Sequence, residues 1–381
     1  MRRIAAALVS TLLAMTAVGA PPASAETPAL AAGVTQHVTF NDPRSDTAKY
    51  RILKEMNRAI SEAPGGAKVR IVTWRWSYAP STDVAIDAVR RGVDLRIALN
   101  KASLDFSETQ RLKNALGSRV VLCRPTSGSG GGCISNRDGG TAHNKIMTLS
   151  ATGTRKNVVM VTSHNMSTGQ TRTYNDNVVT AGDADHYGKM TTYLEHSLAQ
   201  LKNNDYRAEK GRFSSPGSLT QTWAGPKASS DGRMNEEAAT DTLAQLLKAV
   251  PGRSGCVVYV PESKIDDTRT AVVVQLVRLK QAGCFVSMLT RMSTTSADDA
   301  RRRFAEAGIP WKTGDPHQHM KVVIVRGGGV PDFVLHGSEH PTRDFRRNDE
   351  ILQKNTNPAV VKAYHDWFVV CAKRAGLATA T

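Results

Sequence analysis

Aromatic residues are scarce, at 6% of the 381 positions. That leaves little of the broad apolar surface on which deep burial of an acyl chain would draw. Acid is also short. Asp plus Glu number 34 against 50 Lys plus Arg, a formal net charge of +16. Beyond residue 20 no apolar run approaches the roughly 18 residues of a membrane-spanning helix, so the mature chain is predicted to have no span. Gly (30) and Pro (16) are too few for a collagen-like or low-complexity chain. Hydrophobic residues at 40% and charged residues at 22% exclude disorder as the dominant state. The length suits two domains or one large one with a substantial core. The surplus of positive charge favours polyanionic partners such as nucleic acid, anionic lipid or a teichoic-type polymer, without choosing among them.

The first residues read as a secretory leader. Met1-Arg2-Arg3 is a basic opening, 4–20 an apolar run, Pro21-Pro22 a break, and Ala23-Ser24-Ala25 a cleavage site. A signal peptide over 1–25 and a secreted product are therefore expected. Without Arg2 and Arg3 the charge is 50 − 2 − 34 = +14. Export permits disulfides. Of five cysteines, Cys123 and Cys133 bracket a Gly/Ser loop and are the expected bridge. Cys256 and Cys284 each open an apolar run and can meet across neighbouring strands. Cys371 is the expected leftover.

The chain repeats itself. A helical stretch at 47–63 ends at Pro64-Gly65, followed by a strand at 69–74, a helix at 82–91 closed by Gly92, a strand at 94–99, a helix at 107–116 and a strand at 119–123. The same order returns at 236–250, 256–260, 268–282, 284–289 and 297–307. Pro64, Gly92, His143, Ser163 and Asn175 mark the first copy, with steps of 28, 51, 20 and 12. Pro251, Gly283, His319, Ser338 and Asn348 mark the second, with steps of 32, 36, 19 and 10. The one large difference, 51 against 36, matches a Gly-rich insertion at 126–140. Alternating strands and helices predict an α/β fold, each half a mostly parallel or mixed sheet flanked by helices, packed as a pseudo-two-fold pair. The expected divisions are an N-terminal arm at 26–40, a first half at 41–213, a linker at 214–232 and a second half at 233–381. Two halves in one chain can complete a site, so a monomer is expected.

His143-Asn144-Lys145 and His319-Met320-Lys321 stand at matching places, each opening an apolar strand. Residues i and i+2 of a strand share a face, so His and Lys point together. Each half then has a small polar strand end, Thr162-Ser163-His164-Asn165 or Gly337-Ser338-Glu339-His340. Asn175-Asp176-Asn177 and Asn348-Asp349-Glu350 follow as polar turns. A lone His-x-Lys means little; two at matching repeat positions are specific. Two-fold packing would gather two His and two Lys with Ser163, Asn165, Ser338 and His340 in one cleft. That set suits phosphodiester cleavage. One neutral His attacks phosphorus, the other protonates the leaving oxygen, and Lys, hydroxyl and amide groups hold the phosphoryl oxygens.

This pattern resembles the phospholipase D superfamily, whose signature is His-x-Lys-x4-Asp followed by Gly-Ser-x-Asn and an Asn-x-Glu-like turn, once per half. The resemblance covers essentially the whole mature chain. It implies that His143 and His319 are nucleophile and acid, with His143 the nucleophile, and that Lys145 and Lys321 bind phosphate. Ser163, Asn165 and Ser338 would be further oxyanion contacts and Glu350 a histidine orienter. It also implies a phosphohistidine intermediate and no metal or other cofactor. The sequence departs from the signature at several places. Ser150 and Arg326 stand where the motif Asp is expected. Thr162 replaces the first Gly, His340 the second Asn, and Asn177 the first turn carboxylate, with Asp176 beside it as a substitute.

Each feature has a plainer reading. His317 and His319 share a strand face and could form a metal pair, but no Cys or acidic partner recurs at matching spacing. Trp74, Trp76 and Tyr78 are expected on one face, lining the pocket or packing in the core. Arg301-Arg302-Arg303 and the cluster from Arg343 to Arg347 are expected as solvated faces. The expected partner is phospholipid at a membrane surface, with headgroup hydrolysis or transfer. Nucleic acid is the alternative, and a catalytically weak polyanion-binding protein the third reading. The 126–140 insertion is expected at the cleft mouth, where it would bear on substrate choice.

Overall fold

The computed structural model describes residues 28–126, 128–227, 239–292 and 295–380. The leader expected at 1–25 lies outside them. Strands β1 (Thr35–Phe40), β2 (Lys68–Thr73), β3 (Asp94–Asn100), β4 (Val120–Cys123), β5 (Ile146–Thr152), β6 (Arg155–Thr162) and β7 (Asp176–Ala181) form one sheet in the order β1-β7-β6-β5-β2-β3-β4. Strands β8 (Arg212–Ser215), β9 (Thr220–Ala224), β10 (Val257–Lys264), β11 (Phe285–Arg291), β12 (Trp311–Lys312), β13 (Val323–Arg326), β14 (Phe333–Gly337) and β15 (Ile351–Asn355) form the other, in the order β12-β11-β10-β13-β14-β15-β9-β8. Without β1, β8 and β9 the two orders are the same. In each sheet the first strands run parallel and the later ones antiparallel. The α/β architecture of two mixed, helix-flanked sheets is thus the one the repeat predicts.

Period-two alternation splits the strands between two cores. On β6, Val158 and Met160 face one core and Val159 and Val161 the other. Helices α1 (Arg51–Ser61), α2 (Ala79–Arg90) and α3 (Ser107–Leu116) cover the first face, and α4 (Ala184–Leu198) the second. On α1 the buried residues Ile52, Leu53, Met56, Ala59 and Ile60 recur at helical spacing. A one-turn helix, α5 (Tyr206–Glu209), precedes the second half. There α6 (Thr242–Lys248), α7 (Thr270–Gln281) and α8 (Asp298–Glu306) cover one face and α9 (Pro358–Arg374) the other.

The inner helices lock the halves together. Phe40 on β1 stacks on Trp367 of α9 with centroids 5.1 Å apart, and meets Tyr364 edge-on at 5.2 Å. In the reverse direction, Gln353 of β15 meets His186 of α4 at 3.1 Å.

Two expected divisions differ in the structure. The arm at 26–40 supplies β1, which pairs with β7 along its length. The expected linker supplies the β8–β9 hairpin, which pairs with β15. Its Thr220, Thr222 and Trp223 are buried while Gln221 is exposed, so the segment has the apolar contacts of a strand. The remainder of that stretch, from residue 228, lies outside the described residues. Cys123–Cys133 and Cys256–Cys284 are both bridged, each with Cα atoms 4.4 Å apart, and Cys371 is free and buried. No helix among the described residues is long and apolar enough to cross a membrane.

Candidate active site

The two His-x-Lys segments lie just before β5 and β13, where the strand ends of the two sheets meet. Each is stitched to the other half. Ala142 bridges Asp349, and the amides of His143 and Asn144 donate to the Asp349 carbonyl at 3.1 and 2.8 Å. In the mirror arrangement Gln318 bridges Tyr174, and the His319 amide donates to the Tyr174 carbonyl at 2.9 Å.

These bridges correct the register of the repeat. Asp349 corresponds to Tyr174, so the partner of Glu350 is Asn175, not Asn177. Both lie 12 residues after their serine, Ser338 or Ser163. The strands agree, because the Ile351 amide donates to Ser338 Oγ and the Asp176 amide to Ser163 Oγ, each at 3.0 Å. Asp176, expected as the substitute turn carboxylate, instead accepts from Ser163 Oγ and Tyr364 Oη, each at 2.5 Å. The error arose from matching Asn to Asn by identity, where geometry pairs Asn with Glu.

The corrected register gives each histidine a partner from the opposite half. Glu350 meets His143 Nδ1 at 2.9 and 3.0 Å, and its second oxygen is held by Ser338 Oγ. Asn175 Oδ1 meets His319 Nδ1 at 2.9 Å, and Ser163 Oγ reaches Asn175 at 3.3 Å. One histidine is thus backed by a carboxylate and the other by a neutral amide. The serines brace these partners from behind.

Lys145 and Lys321 are buried, and each ammonium donates to the carbonyl of its own motif histidine. Burial, followed by the charge of Lys321, brings Lys145 well below its ordinary pKa. Burial likewise pulls Lys321 down to about 8, against Glu262, Asp176 and Glu350. His143 and His319 are held well below 6.5 by burial and then by both lysines, so both rings are neutral near neutrality.

The strand ends add two more pairs at corresponding positions. Asn165 Oδ1 accepts from Thr73 Oγ1 at 3.1 Å, and its buried Nδ2 has no protein partner. Where Asn165 stands in the first half, the second has His340; where Thr73 stands, it has Glu262. His340 Nδ1 lies 3.0 Å from Glu262 Oε1, and its ring lies 5.4 Å from that of His143. The sequence places His340 in the cleft, as it also marks a departure from the motif, but does not single out Glu262, although Glu262 sits at the end of an apolar strand where a carboxylate needs a reason. Gln170 was also missed. Its side chain bridges the Asn165 amide and His319 Nε2, the latter at 3.2 Å.

At the mouth, Trp74 meets the His143 ring edge-on at 5.6 Å, with the Arg75 guanidinium 4.0 Å over its own ring. Trp76 and Tyr78 do not join it. The strand ends at Thr73, so the alternation stops; Trp76 is buried in the core, and Tyr78 packs on Tyr50. Ser150 and Arg326 lie at the far strand ends. Ser150 Oγ caps the Lys68 amide at 2.8 Å, and Arg326 pairs with Asp332 at 3.3 Å. Arg346 is buried, so the 343–347 cluster is not one solvated face, whereas Arg302 and Arg303 pair with acids of α8. Among the described residues no three His, Cys, Asp or Glu side chains gather as a metal site.

The 126–140 insertion is partly a clamp. The Asp349 carboxylate accepts from the amides of Cys133, Ile134 and Ser135 at 2.5, 3.1 and 2.7 Å. Lys202 donates to the carbonyls of Gly132 and Cys133 at 3.0 and 2.9 Å. Asp349 directly precedes Glu350, so the loop fixes the turn that orients His143. Asp349→Ala would leave three amides unpaired and should cost about 3 kcal/mol or more. Chemical denaturation checks this, and a variant as stable as the parent would dismiss the clamp.

No family model matches the sequence, and no curated protein matches it. Solved structures do. The fold is similar to that of phosphatidylserine synthase from Haemophilus influenzae (TM-score 0.57, 11% identity, 86% of this chain and 85% of that one). It is also similar to polyphosphate kinase from Porphyromonas gingivalis (TM-score 0.56, 12% identity, 88% of this chain and 50% of that one). The chain therefore spans about half the length of that kinase. Nuc from Salmonella typhimurium, described as a phospholipase D family member, matches 44% of this chain and 95% of its own at 16% identity, with a TM-score of 0.32. The first two likenesses show the fold alone: two helix-flanked α/β halves in one chain, as in those two enzymes.

Proposed function

We propose that the protein is a secreted phosphodiesterase of the phospholipase D type, acting through a phosphohistidine on His143. The observation that carries this reading is the contact of Glu350 with His143 Nδ1, made across the halves. A carboxylate there keeps the proton on Nδ1 and leaves the Nε2 lone pair free to attack. It also offsets the positive charge that forms on the ring as the P–N bond is made.

His319 then protonates the leaving oxygen as the P–O bond breaks. Asn175 supplies no charge to hold that proton back, and Gln170 must turn from Nε2 to admit the leaving group. An entering phosphate offsets the two lysines that keep the His319 ring neutral, so the ring takes a proton from solvent as substrate binds and holds it for the leaving oxygen. In the second step His319 takes a proton from water or an alcohol, which attacks phosphorus and frees His143. Lys145, Lys321 and Asn165 Nδ2 hold the phosphoryl oxygens throughout.

The finer reading is hydrolysis or transfer of a phospholipid headgroup at a membrane surface; the leader sequence supports export and is shared by both readings. A nuclease is the second reading, favoured by the net charge of +14 that remains without the leader. Assays on phosphatidylcholine vesicles and on plasmid DNA, each with EDTA, separate them. Headgroup release that survives chelation is expected. DNA cleavage alone would establish the nuclease, and no turnover of either would leave a polyanion-binding protein.

A further inference from the structure

The two halves differ most in chemistry at one corresponding pair. The first half has Thr73 and Asn165, which hold no titratable proton. The second has Glu262 and His340, which do. Asn165 presents an unpartnered N–H donor beside the motif residues. By correspondence His340 presents Nε2, which has no hydrogen-bond partner among the described residues, while Nδ1 is taken by Glu262 at 3.0 Å. The Glu262 backbone bridges that of Lys321, so the pair is anchored to the motif strand.

We propose that His340 and Glu262 form a phosphoryl-binding pair whose shared proton crosses to the imidazole when a dianion enters the cleft. This rests on the reading that the cleft receives a phosphoryl group. In the empty cleft Glu262 is the acid and donates to Nδ1 of a neutral His340, whose Nε2–H faces the cleft. When the anion arrives, the Glu262 O–H bond breaks and an Nδ1–H bond forms. Glu262 becomes a carboxylate and His340 an imidazolium, with no proton taken from solvent. Nε2–H then makes a charge-assisted bond to a phosphoryl oxygen, stronger than a neutral amide can make.

The surroundings set that balance. His143, His319, Lys145, Lys321 and Lys264 oppose charge on His340, and Lys321 and Arg269 favour charge on Glu262. Burial acts against both charges, holding His340 well below 6.5 and Glu262 well above 4.5. The empty pair is therefore neutral. An added dianion tips it, because it stabilises a cation at His340. The same holds in a phosphoryl-transfer transition state, where negative charge on the equatorial oxygens increases.

Sulfate tests this, since it has the oxygen arrangement of phosphate and no titrating proton near neutrality. Long-range proton–nitrogen spectra of histidine-labelled protein should show, besides the change at His319, the His340 ring passing from neutral to imidazolium on saturation with sulfate. That signal should be absent from His340→Asn. Glu262→Gln can still hold Nδ1 but cannot release a proton, so its His340 ring should remain neutral. Sulfate affinity should fall roughly tenfold in both variants. A His340 ring that stays neutral at saturation overturns the proposal. So does an unchanged affinity in His340→Asn, or a parent protein that does not bind sulfate. If the parent shows the imidazolium but turns over no phosphodiester, the pair stands and the phosphodiesterase reading fails.

Discussion

His143→Ala is expected to lose at least about 10⁴-fold in turnover of any phosphodiester, because in the proposed mechanism it removes the atom that bonds to phosphorus. His319→Ala should lose roughly 10²–10⁴-fold on a substrate with a poor leaving group, the usual worth of a general acid. The two variants separate when the leaving group is changed. A nitrophenolate needs no proton to depart, so His319→Ala should recover much of its first step on a nitrophenyl diester, whereas His143→Ala should recover none. Rapid alkaline quenching of His319→Ala should also trap phosphorus on the protein, since the water that releases it has lost its base. Recovery in His143→Ala and not in His319→Ala would exchange the two roles. Near-parental turnover in both would dismiss the cleft as the site of chemistry.

The repeat made the architecture legible because helix stops, strand runs and both His-x-Lys segments recur at similar spacing. Periodicity could locate strands inside a half. It could not show that β1 and the β8–β9 hairpin join sheets whose other strands lie far away in sequence. Nor could it show that the turn of one half serves the histidine of the other, because that pairing comes from the packing of the halves. Matching Asn175 to Asn348 by identity therefore placed the partner of His319 two residues too late. Glu262 was invisible for a related reason. A single carboxylate at a strand end is ordinary in sequence, and it gains meaning only when the fold places His340 beside it.

The difference between Glu350 and Asn175 yields the second large effect. Glu350→Gln keeps nearly the same shape but replaces an acceptor with a group that can donate to Nδ1. The Nδ1 proton would then shift to Nε2, and the attacking lone pair would be lost. Loss of a carboxylate behind a catalytic histidine costs roughly 10⁴-fold where the imidazole tautomer matters, so a fall of about 10²–10⁴ is expected. It should appear in kcat, since the lysines that bind the phosphate remain. Asn175→Ala, which removes a neutral contact, should cost far less.

The pH profiles follow from the same arrangement. His143 is held well below 6.5 by burial and the lysines, so it stays unprotonated and the parent should remain active as pH falls through 6.5. Lys321 is cationic below about 8 and loses its charge above it, so KM should rise as pH passes that value. Glu350→Gln should retain the alkaline rise in KM, because Lys321 is still present, while kcat stays low across the range. A Glu350→Gln variant with near-parental kcat would show that the carboxylate braces the fold without setting the tautomer of His143, and the choice of His143 over His319 as nucleophile would lose its physical basis.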